Sequence, residues 1–293
     1  MVLCIHIQNV KDYYLLKDYK LVSNNNLDGI TKMPKIAIHK FSSCDGCQLA
    51  LINDAVSLLE LNKIVEIVHF AEAGYLDEFL SVDLAIIEGS INTHHDITRL
   101  NLIRQKSRYI IAVGACAVSG GIQALRNFKN SEQFLKWQHD VYKESTESII
   151  KEDLPTAKPI SAYINVDSEI KGCPINTGQI LHAIRDVLFG VDPEKETNPV
   201  CITCKRSGVT CVIVAKNEPC LGPVVADGCG ALCPKLGRAC YGCYGPAKFA
   251  NVPAMTNKLK ELGLTDQQIR HKYHQINSQT ETFKNAGGEI DDH

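Results

Sequence analysis

Eight cysteines fall within 43 residues of this chain, and no other feature restricts its possible folds so strongly. They are Cys201, Cys204, Cys211, Cys220, Cys229, Cys233, Cys240 and Cys243. Cys-x2-Cys pairs open and close the segment, and eight thiols in so short a span make two tetrahedral four-thiolate sites. Zinc and iron–sulfur clusters both use such sites, so the segment alone leaves the two metal types open.

Charge and hydropathy exclude two broad classes of protein. The chain has 31 Lys+Arg residues against 33 Asp+Glu and no long basic run, so phosphate-driven binding of nucleic acid has no support. It contains no apolar window of about 18 residues, which predicts that no segment spans a membrane. A length of 293 residues allows one large domain and a smaller one.

The start of the chain favours a cytoplasmic protein. It lacks the basic residues and the small-residue cleavage site of a signal peptide, and His6, Gln8 and Asn9 interrupt its apolar run. Thiols stay reduced in the cytosol, so 13 cysteines favour metal binding over disulfides. The odd total leaves one cysteine without a place in a metal site, and we expect that cysteine to be Cys4.

From residue 34 onward, strand-like and helix-like patterns alternate. Strands are predicted at 35–41, 64–70, 82–90, 108–117 and 160–166, and helices at 48–61, around 97–104 and at 177–188. Apolar strands that alternate with helices indicate an α/β fold with a doubly wound parallel sheet. We expect a polar extension at 1–33, this domain at 34–192 and a small, irregular cysteine-rich domain at 193–293. Thr265 and Gln268 predict a capping box for a closing helix.

Four further cysteines follow predicted strands. Cys44 and Cys47 come after the first strand, Cys116 after the fourth and Cys173 after the last. The carboxyl ends of parallel strands share one edge of a sheet, so these residues can meet there and form a third four-thiolate site. Zinc normally uses local ligands in small modules, whereas three clusters in one chain would make a path for electrons. The full pattern therefore favours iron–sulfur clusters, with a zinc-stapled scaffold or interaction protein as the alternative.

Four motifs together resemble those of the small subunits of nickel–iron hydrogenases, over roughly residues 34–245. They are Cys44-Asp45-Gly46-Cys47, Glu88-Gly89-Ser90, the run Gly-Ala-Cys-Ala-Val-Ser-Gly-Gly at 114–121, and Gly172-Cys173-Pro174. The resemblance implies a flavodoxin-like sheet and an electron-transfer role. It also implies that the catalytic nickel–iron centre lies in a separate large subunit, and that the proximal 4Fe–4S cluster is held by Cys44, Cys47, Cys116 and Cys173.

The resemblance also divides the remaining eight thiols. A medial 4Fe–4S cluster is implied for Cys229, Cys233, Cys240 and Cys243, and a distal one for Cys201, Cys204, Cys211 and Cys220. Cys201 stands where periplasmic relatives have a histidine, and Cys233 adds a thiol where those relatives hold a three-iron cluster. Both departures are similar to the delta subunit of cytosolic NAD(P)-linked hydrogenases, or sulfhydrogenases. This likeness implies diaphorase-type partner subunits that carry flavin and further iron–sulfur clusters.

Two other residues and one further alternative bear on the function. Glu88, at a strand end, could lie on a proton path, but a role as acceptor of backbone hydrogen bonds is favoured. His39, within a strand, is expected to be a core residue with its hydrogen bonds satisfied. A subunit of a quinone-reductase-type complex remains an alternative within the redox class, although such relatives lack the eight additional cysteines.

Overall fold

The computed structural model describes residues 33–128, 136, 153–191 and 198–286. Contacts between residues group the described part of the chain from Pro34 onward into one compact unit. The predicted extension at 1–33 lies outside the described residues except for Met33, and so does the predicted domain boundary at 192–193. The division into two domains after residue 33 therefore stays a prediction. Among the described helices, none is long and apolar enough to cross a membrane.

The core of the fold is a six-stranded sheet in which five strands are parallel. Its strands are β1 (Lys35–Lys40), β2 (Glu66–Phe70), β3 (Tyr75–Leu76), β4 (Val82–Glu88), β6 (Ser107–Val113) and β8 (Ser168–Ile170), in the spatial order β3-β2-β1-β4-β6-β8. Only β3 is antiparallel, and it pairs with β2 at one edge. Without β3, the parallel strands have the order 2-1-3-4-5 of a flavodoxin-like fold. The predicted fold class is confirmed.

Helices cover both faces of this sheet, as a doubly wound fold requires. They are α1 (Gly46–Asn53), α2 (Ala55–Leu61), α3 (His94–Lys106), α4 (Gly114–Ser119) and α5 (Thr177–Leu188). Apolar residues of α1, α2 and α5 pack with Ile36 and Ile38 on one face of β1. Ala37 faces the other way and packs with Leu100 and Ile103 of α3. The alternation of side chains along a strand thus separates two cores.

The cysteine-rich region is mostly loops with short helices. Its helices are α6 (Val200–Arg206), α7 (Val212–Lys216), α8 (Leu232–Lys235), α9 (Val252–Glu261), α10 (Asp266–Asn277) and α11 (Glu281–Lys284). Ile269 and Tyr273 of α10 are almost fully buried in a third core with Leu259 of α9. The predicted capping box is confirmed, because Gln268 N–H donates to Thr265 Oγ1 and Thr265 N–H donates to Gln268 Oε1.

The predicted strand at 160–166 is wrong. Residues Ile160–Ala162 form a 3-10 turn, and the fifth parallel strand is β8. Ile160 and Ile164 are both buried, but Ala162 between them is exposed, which fits one helical turn and not a strand, where all three would share a face. The preceding segment β7 (Asp153–Lys158) pairs with β5 (Ile91–Thr93) in a separate two-stranded sheet.

The predicted helix at 48–61 is two helices. Asp54 separates them, and its side chain accepts a hydrogen bond from Ser57 N–H at the start of α2. The strands predicted to end at residues 90 and 117 stop earlier, at Glu88 and Val113, where the chain turns into the site.

Candidate functional site

The first four cysteines lie at the carboxyl edge of the parallel sheet. Cys44 and Cys47 follow β1, Cys116 lies in α4 directly after β6, and Cys173 follows β8. Burial raises the pKa of Cys116 to about 11, and the neighbouring Cys173 thiolate adds to this rise. A hydrogen bond with Gln123 acts in the opposite direction and lowers the pKa. Cys44 and Cys47 are also within electrostatic reach of Cys116. The structure thus brings these four thiols, the proximal group, together.

Two glycines shape this group of thiols. Gly114 has a φ of +83°, and a Cβ placed on it would lie 2.5 Å from Cys47 Sγ. Gly121 has a φ of +59°, and its Cβ would lie 2.6 Å from Cys116 Sγ. Both positions favour glycine for conformation and for space. The backbone therefore forms a close wall around the sulfur atoms, as a bulky ligand held by thiolates requires.

Glu88 ends β4 beside the proximal group. Its carboxylate accepts hydrogen bonds from the backbone N–H groups of Cys47 at 3.0 Å and Gln48 at 3.2 Å. Burial raises the pKa of Glu88, and these two hydrogen bonds oppose the rise. Glu88 thus has the structural role favoured from the sequence, since it fixes the first turn of α1, which carries Cys47.

The medial group comprises Cys229, Cys233, Cys240 and Cys243. Cys233 lies in α8, and the other three lie in the loops on either side of it. Burial, and then the neighbouring Cys229 thiolate, raises the pKa of Cys243 to about 12. Burial also raises the pKa values of Cys233 and Cys240, and Cys229 lies among the charged neighbours of both. The four thiols are therefore close together.

The distal group comprises Cys201, Cys204, Cys211 and Cys220. Cys201 and Cys204 are three residues apart in α6 and share a face of that helix, whereas Cys211 directly precedes α7. Burial raises the pKa of Cys204 first, and the Cys201, Cys220 and Cys211 thiolates raise it further. This pattern indicates that the four side chains of the distal group converge.

Two contacts place the groups in succession. Cys173, in the proximal group, is an electrostatic neighbour of Cys243 in the medial group, and hydrogen bonding from its backbone opposes the rise in the pKa of Cys243. The backbone N–H of Cys240, also in the medial group, donates to Cys220 Sγ of the distal group at 3.1 Å. The medial group therefore touches both of the others.

Asn277, at the end of α10, joins the proximal and medial segments. Its Oδ1 accepts a hydrogen bond from Ser119 Oγ of α4 at 2.8 Å, and its Nδ2 donates to the Gly242 carbonyl at 2.9 Å and to the Cys243 carbonyl at 3.3 Å. Asn277 is only 5% exposed. Sequence reasoning missed this residue, and a lone asparagine near a helix end carries no signal that could have found it.

Tyr244 was also missed. Its side chain is 3% exposed and packs against Gly228, where an added Cβ would lie 2.3 Å from the ring. Burial, followed by the nearby Cys229 and Cys243 thiolates, raises the pKa of Tyr244, and Cys47 contributes as well. Because it is close to thiols of two groups, Tyr244 fills the space between the proximal and medial groups.

The donor set fits iron–sulfur clusters. Twelve cysteines of the described residues are free thiols, which is the number that three four-thiolate sites require. Burial raises the pKa of eight of them, so deprotonated thiols at these positions need a positive partner. Metal ions supply that charge and hold such thiols as thiolates. Backbone N–H groups aimed at sulfur and glycine at close approaches complete a fitting environment.

Comparison with known proteins identifies the family. Residues 44–187 match the family described as NADH ubiquinone oxidoreductase, 20 Kd subunit. The delta subunit of sulfhydrogenase 2 from Pyrococcus furiosus is 35% identical over 238 residues, which cover 81% of this chain and 97% of that protein. This chain belongs to the small subunits of nickel–iron hydrogenases. It is thus an iron–sulfur, electron-transfer component of an oxidoreductase that acts on dihydrogen, and the catalytic site lies in a partner, the large subunit.

Two further relatives agree with this membership. A component of the F420-non-reducing hydrogenase of Methanocaldococcus jannaschii is 32% identical over 243 residues, covering 74% of this chain and 83% of that protein. A solved NAD+-reducing NiFe hydrogenase in the H2-reduced state matches with 25% identity and a TM-score of 0.50. That match covers 56% of this hydrogenase small subunit and 96% of the solved chain.

Membership of this family decides between the alternatives left open by the sequence. These relatives are hydrogenase subunits, so the alternative of a zinc-stapled scaffold without a redox role is excluded. The family model alone is named for a quinone-reductase subunit, but it ends at residue 187 and does not include the eight cysteines of the medial and distal groups. The relatives that extend across that region are hydrogenase subunits.

Proposed function

We propose that this hydrogenase subunit holds three 4Fe–4S clusters and conducts electrons from the large subunit toward an NAD(P)-reducing partner. The proximal group would hold the cluster nearest the nickel–iron centre, and the medial and distal groups would hold the next two. When bound, each cluster accepts and donates one electron at a time.

The observation that carries this proposal is the succession of thiol groups. The contact of Cys173 with Cys243 joins the first group to the second, and the contact of Cys240 with Cys220 joins the second to the third. A structural metal site requires no such sequence of neighbours, whereas electron transfer requires adjacent redox centres. Four thiols in each group match the ligand number of a 4Fe–4S cluster.

The remaining residues of the site hold the thiols in place. Glu88 orients the segment of Cys47, and Asn277 ties α4 to the loop of Cys243. The N–H groups of Cys240 and Gly222 point at Cys220 Sγ, at 3.1 and 3.5 Å, and stabilise negative charge there. These contacts are made by the chain itself, so they prepare the ligand positions before metal is bound.

The acceptor is proposed as NAD+ or NADP+, reduced by diaphorase-type partner subunits that contain flavin, within a cytoplasmic complex. The solved NAD+-reducing hydrogenase supports this acceptor. So does Cys201, because a thiol in place of the histidine of periplasmic relatives is similar to the NAD(P)-linked hydrogenases. The relative from Methanocaldococcus jannaschii carries a different description, so another acceptor is the second candidate.

Metal analysis of the anaerobically purified complex of small and large subunits tests the cluster proposal. Besides the iron of the nickel–iron centre, we expect about twelve irons and about twelve acid-labile sulfides per small subunit, all as 4Fe–4S clusters by electron paramagnetic resonance. Stoichiometric sulfur-ligated zinc, or a three-iron signal before any oxidation, would contradict it.

Dihydrogen-dependent reduction of NAD+ and NADP+ by the whole complex tests the acceptor. If the complex reduces a viologen dye but neither nucleotide, the proposed acceptor is rejected and the cluster proposal stands.

A further inference from the structure

A second cluster of potential metal ligands, which contains no cysteine, lies near the carboxyl ends of β1 and β2. His39 is in β1 and His69 is in the neighbouring strand β2, where it is paired with Ala37. Paired residues of parallel strands face the same way, and so do residues two apart along a strand. Both imidazoles therefore lie on the α3 face, with ring centroids 4.7 Å apart and an interplanar angle of 29°.

Both histidines are buried and carry nitrogen atoms that lack partners. His39 is 1% exposed and His69 is 3% exposed. Within the described part of the chain, His39 Nδ1 and both ring nitrogens of His69 have no hydrogen-bond partner. The expectation that His39 is a fully satisfied core residue is therefore wrong. Buried polar atoms normally have partners, so three such atoms at one place indicate an additional ligand.

Glu78 completes the cluster. One ligand atom of each of His39, His69 and Glu78 lies within 4.8 Å of the others. Glu78 follows the edge strand β3, and its side chain is 23% exposed. An ion could therefore reach the buried imidazoles past this carboxylate. Two imidazoles and one carboxylate form a common ligand set for zinc that leaves the fourth position for water.

The cation nearest this cluster is Arg99 of α3. Its Nε pairs with Glu78 Oε1, its Nη1 donates to the Lys40 carbonyl at 2.6 Å, and its guanidinium lies over the Phe41 ring at 4.5 Å. These contacts hold Arg99 in place and use one carboxylate oxygen, so Oε2 of Glu78 remains for a metal ion. Burial lowers the pKa of His39 to about 3 and also lowers that of His69, which keeps both imidazoles in the neutral form that binds metals.

We propose that His39, His69 and Glu78 bind one zinc ion, which joins β1, β2 and the segment after β3. The carboxyl end of β1 leads into the loop of Cys44, so the ion would brace the strand from which the proximal group begins. Zinc has no redox chemistry in proteins, so this role is separate from electron transfer.

X-ray absorption at the zinc edge tests the proposal on the wild-type complex of small and large subunits, loaded with iron. The complex is incubated with Zn2+ and then desalted. We expect one zinc per small subunit with only nitrogen and oxygen neighbours, at about 2.0–2.1 Å. Sulfur neighbours at about 2.3 Å would assign the zinc to cysteine sites, and this result or the absence of zinc would overturn the proposal.

Two variants test the ligands, and a third is their control. His69→Gln and Glu78→Gln should each weaken zinc binding by more than about 100-fold, since loss of groups that only support metal ligands costs 10–100-fold. His95→Gln, which changes an exposed histidine of α3, should bind zinc as wild type does. Iron content identifies any variant that fails to fold. Full retention of zinc by iron-loaded Glu78→Gln and His69→Gln would refute the site.

Discussion

The backbone N–H of Cys240 donates a hydrogen bond of 3.1 Å to Cys220 Sγ, and this contact joins the medial and distal groups of thiols. Cys240 and Cys220 are 5% and 6% exposed, so the contact is shielded from water. Hydrogen bonds to cluster sulfurs and solvent exposure are among the factors that set iron–sulfur potentials. A backbone N–H of the medial group thus stabilises negative charge on a sulfur ligand of the distal group.

Gly114→Ala should damage the proximal site selectively. The new Cβ would lie 2.5 Å from Cys47 Sγ, and the φ of +83° is unfavourable for alanine. We expect the purified complex to lose about four of its cluster irons, because one of four thiols is displaced. Iron analysis with electron paramagnetic resonance measures the loss.

Gly263→Ala is a matched control for that change. Gly263 has a φ of +88°, but no atom lies within 4 Å of the added Cβ. The control should show only the cost of a left-handed conformation for alanine, about 1–2 kcal/mol of stability, and should keep its iron. Equal iron loss in both variants would mean that strain, and not the contact with Cys47, is responsible.

Ile122→Asp should weaken association with the large subunit. Ile122 is 56% exposed and directly follows Gly121, which lies against Cys116. Obligate interfaces bury more than about 2,000 Å2 and are apolar at their centres. A charge at such a centre should cost roughly 2 kcal/mol, or about a 30-fold loss of affinity.

Co-purification of the tagged large subunit with the variant measures that loss. Phe249→Asp is the control, because Phe249 is 85% exposed and lies in the cysteine-rich region, away in sequence from the proximal loops. If Ile122→Asp retains the large subunit as wild type does, the surface next to Cys116 is not covered by it.

The sequence predicted the sheet and the meeting of the proximal thiols because both follow from periodicity. Cys44 and Cys173 are 129 residues apart, yet the ends of parallel strands must share an edge. The strand at 160–166 was mistaken because a short apolar run does not distinguish a strand from a helical turn. The bracing by Asn277 and the unpaired nitrogens of His39 depend on tertiary contacts, which no local pattern encodes.

His274 should make stability depend on pH. The ring stacks on Phe128, and burial lowers its pKa below the ordinary 6.5, against hydrogen bonds with the Lys284 and Phe283 carbonyls. Below about pH 6.5 the unfolded chain binds a proton that the folded chain does not, so stability falls as pH falls. Between pH 7.5 and 5.5 this costs at most about 1.4 kcal/mol.

Thermal unfolding of wild type and His274→Gln at both pH values measures this effect. The variant should lose less stability on acidification, since glutamine does not titrate. His95→Gln, at an exposed site, controls for the loss of a histidine as such. An identical decrease in wild type and His274→Gln would show that other groups cause the acid sensitivity.

Cys233→Ala tests the division of the eight C-terminal cysteines. Cys233 is the second residue of α8, and Cys229 lies among its charged neighbours. Alanine keeps the short helix and removes one thiol, so the medial site should retain Cys229, Cys240 and Cys243 and hold a 3Fe–4S cluster. Electron paramagnetic resonance of the oxidised variant should show a new three-iron signal.

The smaller cluster should also interrupt electron flow. A tenfold change in a one-electron equilibrium corresponds to about 59 mV, so a rise in potential of about 200 mV would disfavour onward transfer by about three orders of magnitude. Reduction of NAD(P)+ by dihydrogen should slow, while a dye that draws electrons from the proximal site continues to be reduced. Cys204→Ala is the matched change in the distal group. If Cys204→Ala produces the three-iron signal of the medial site and Cys233→Ala does not, the two groups are wrongly divided.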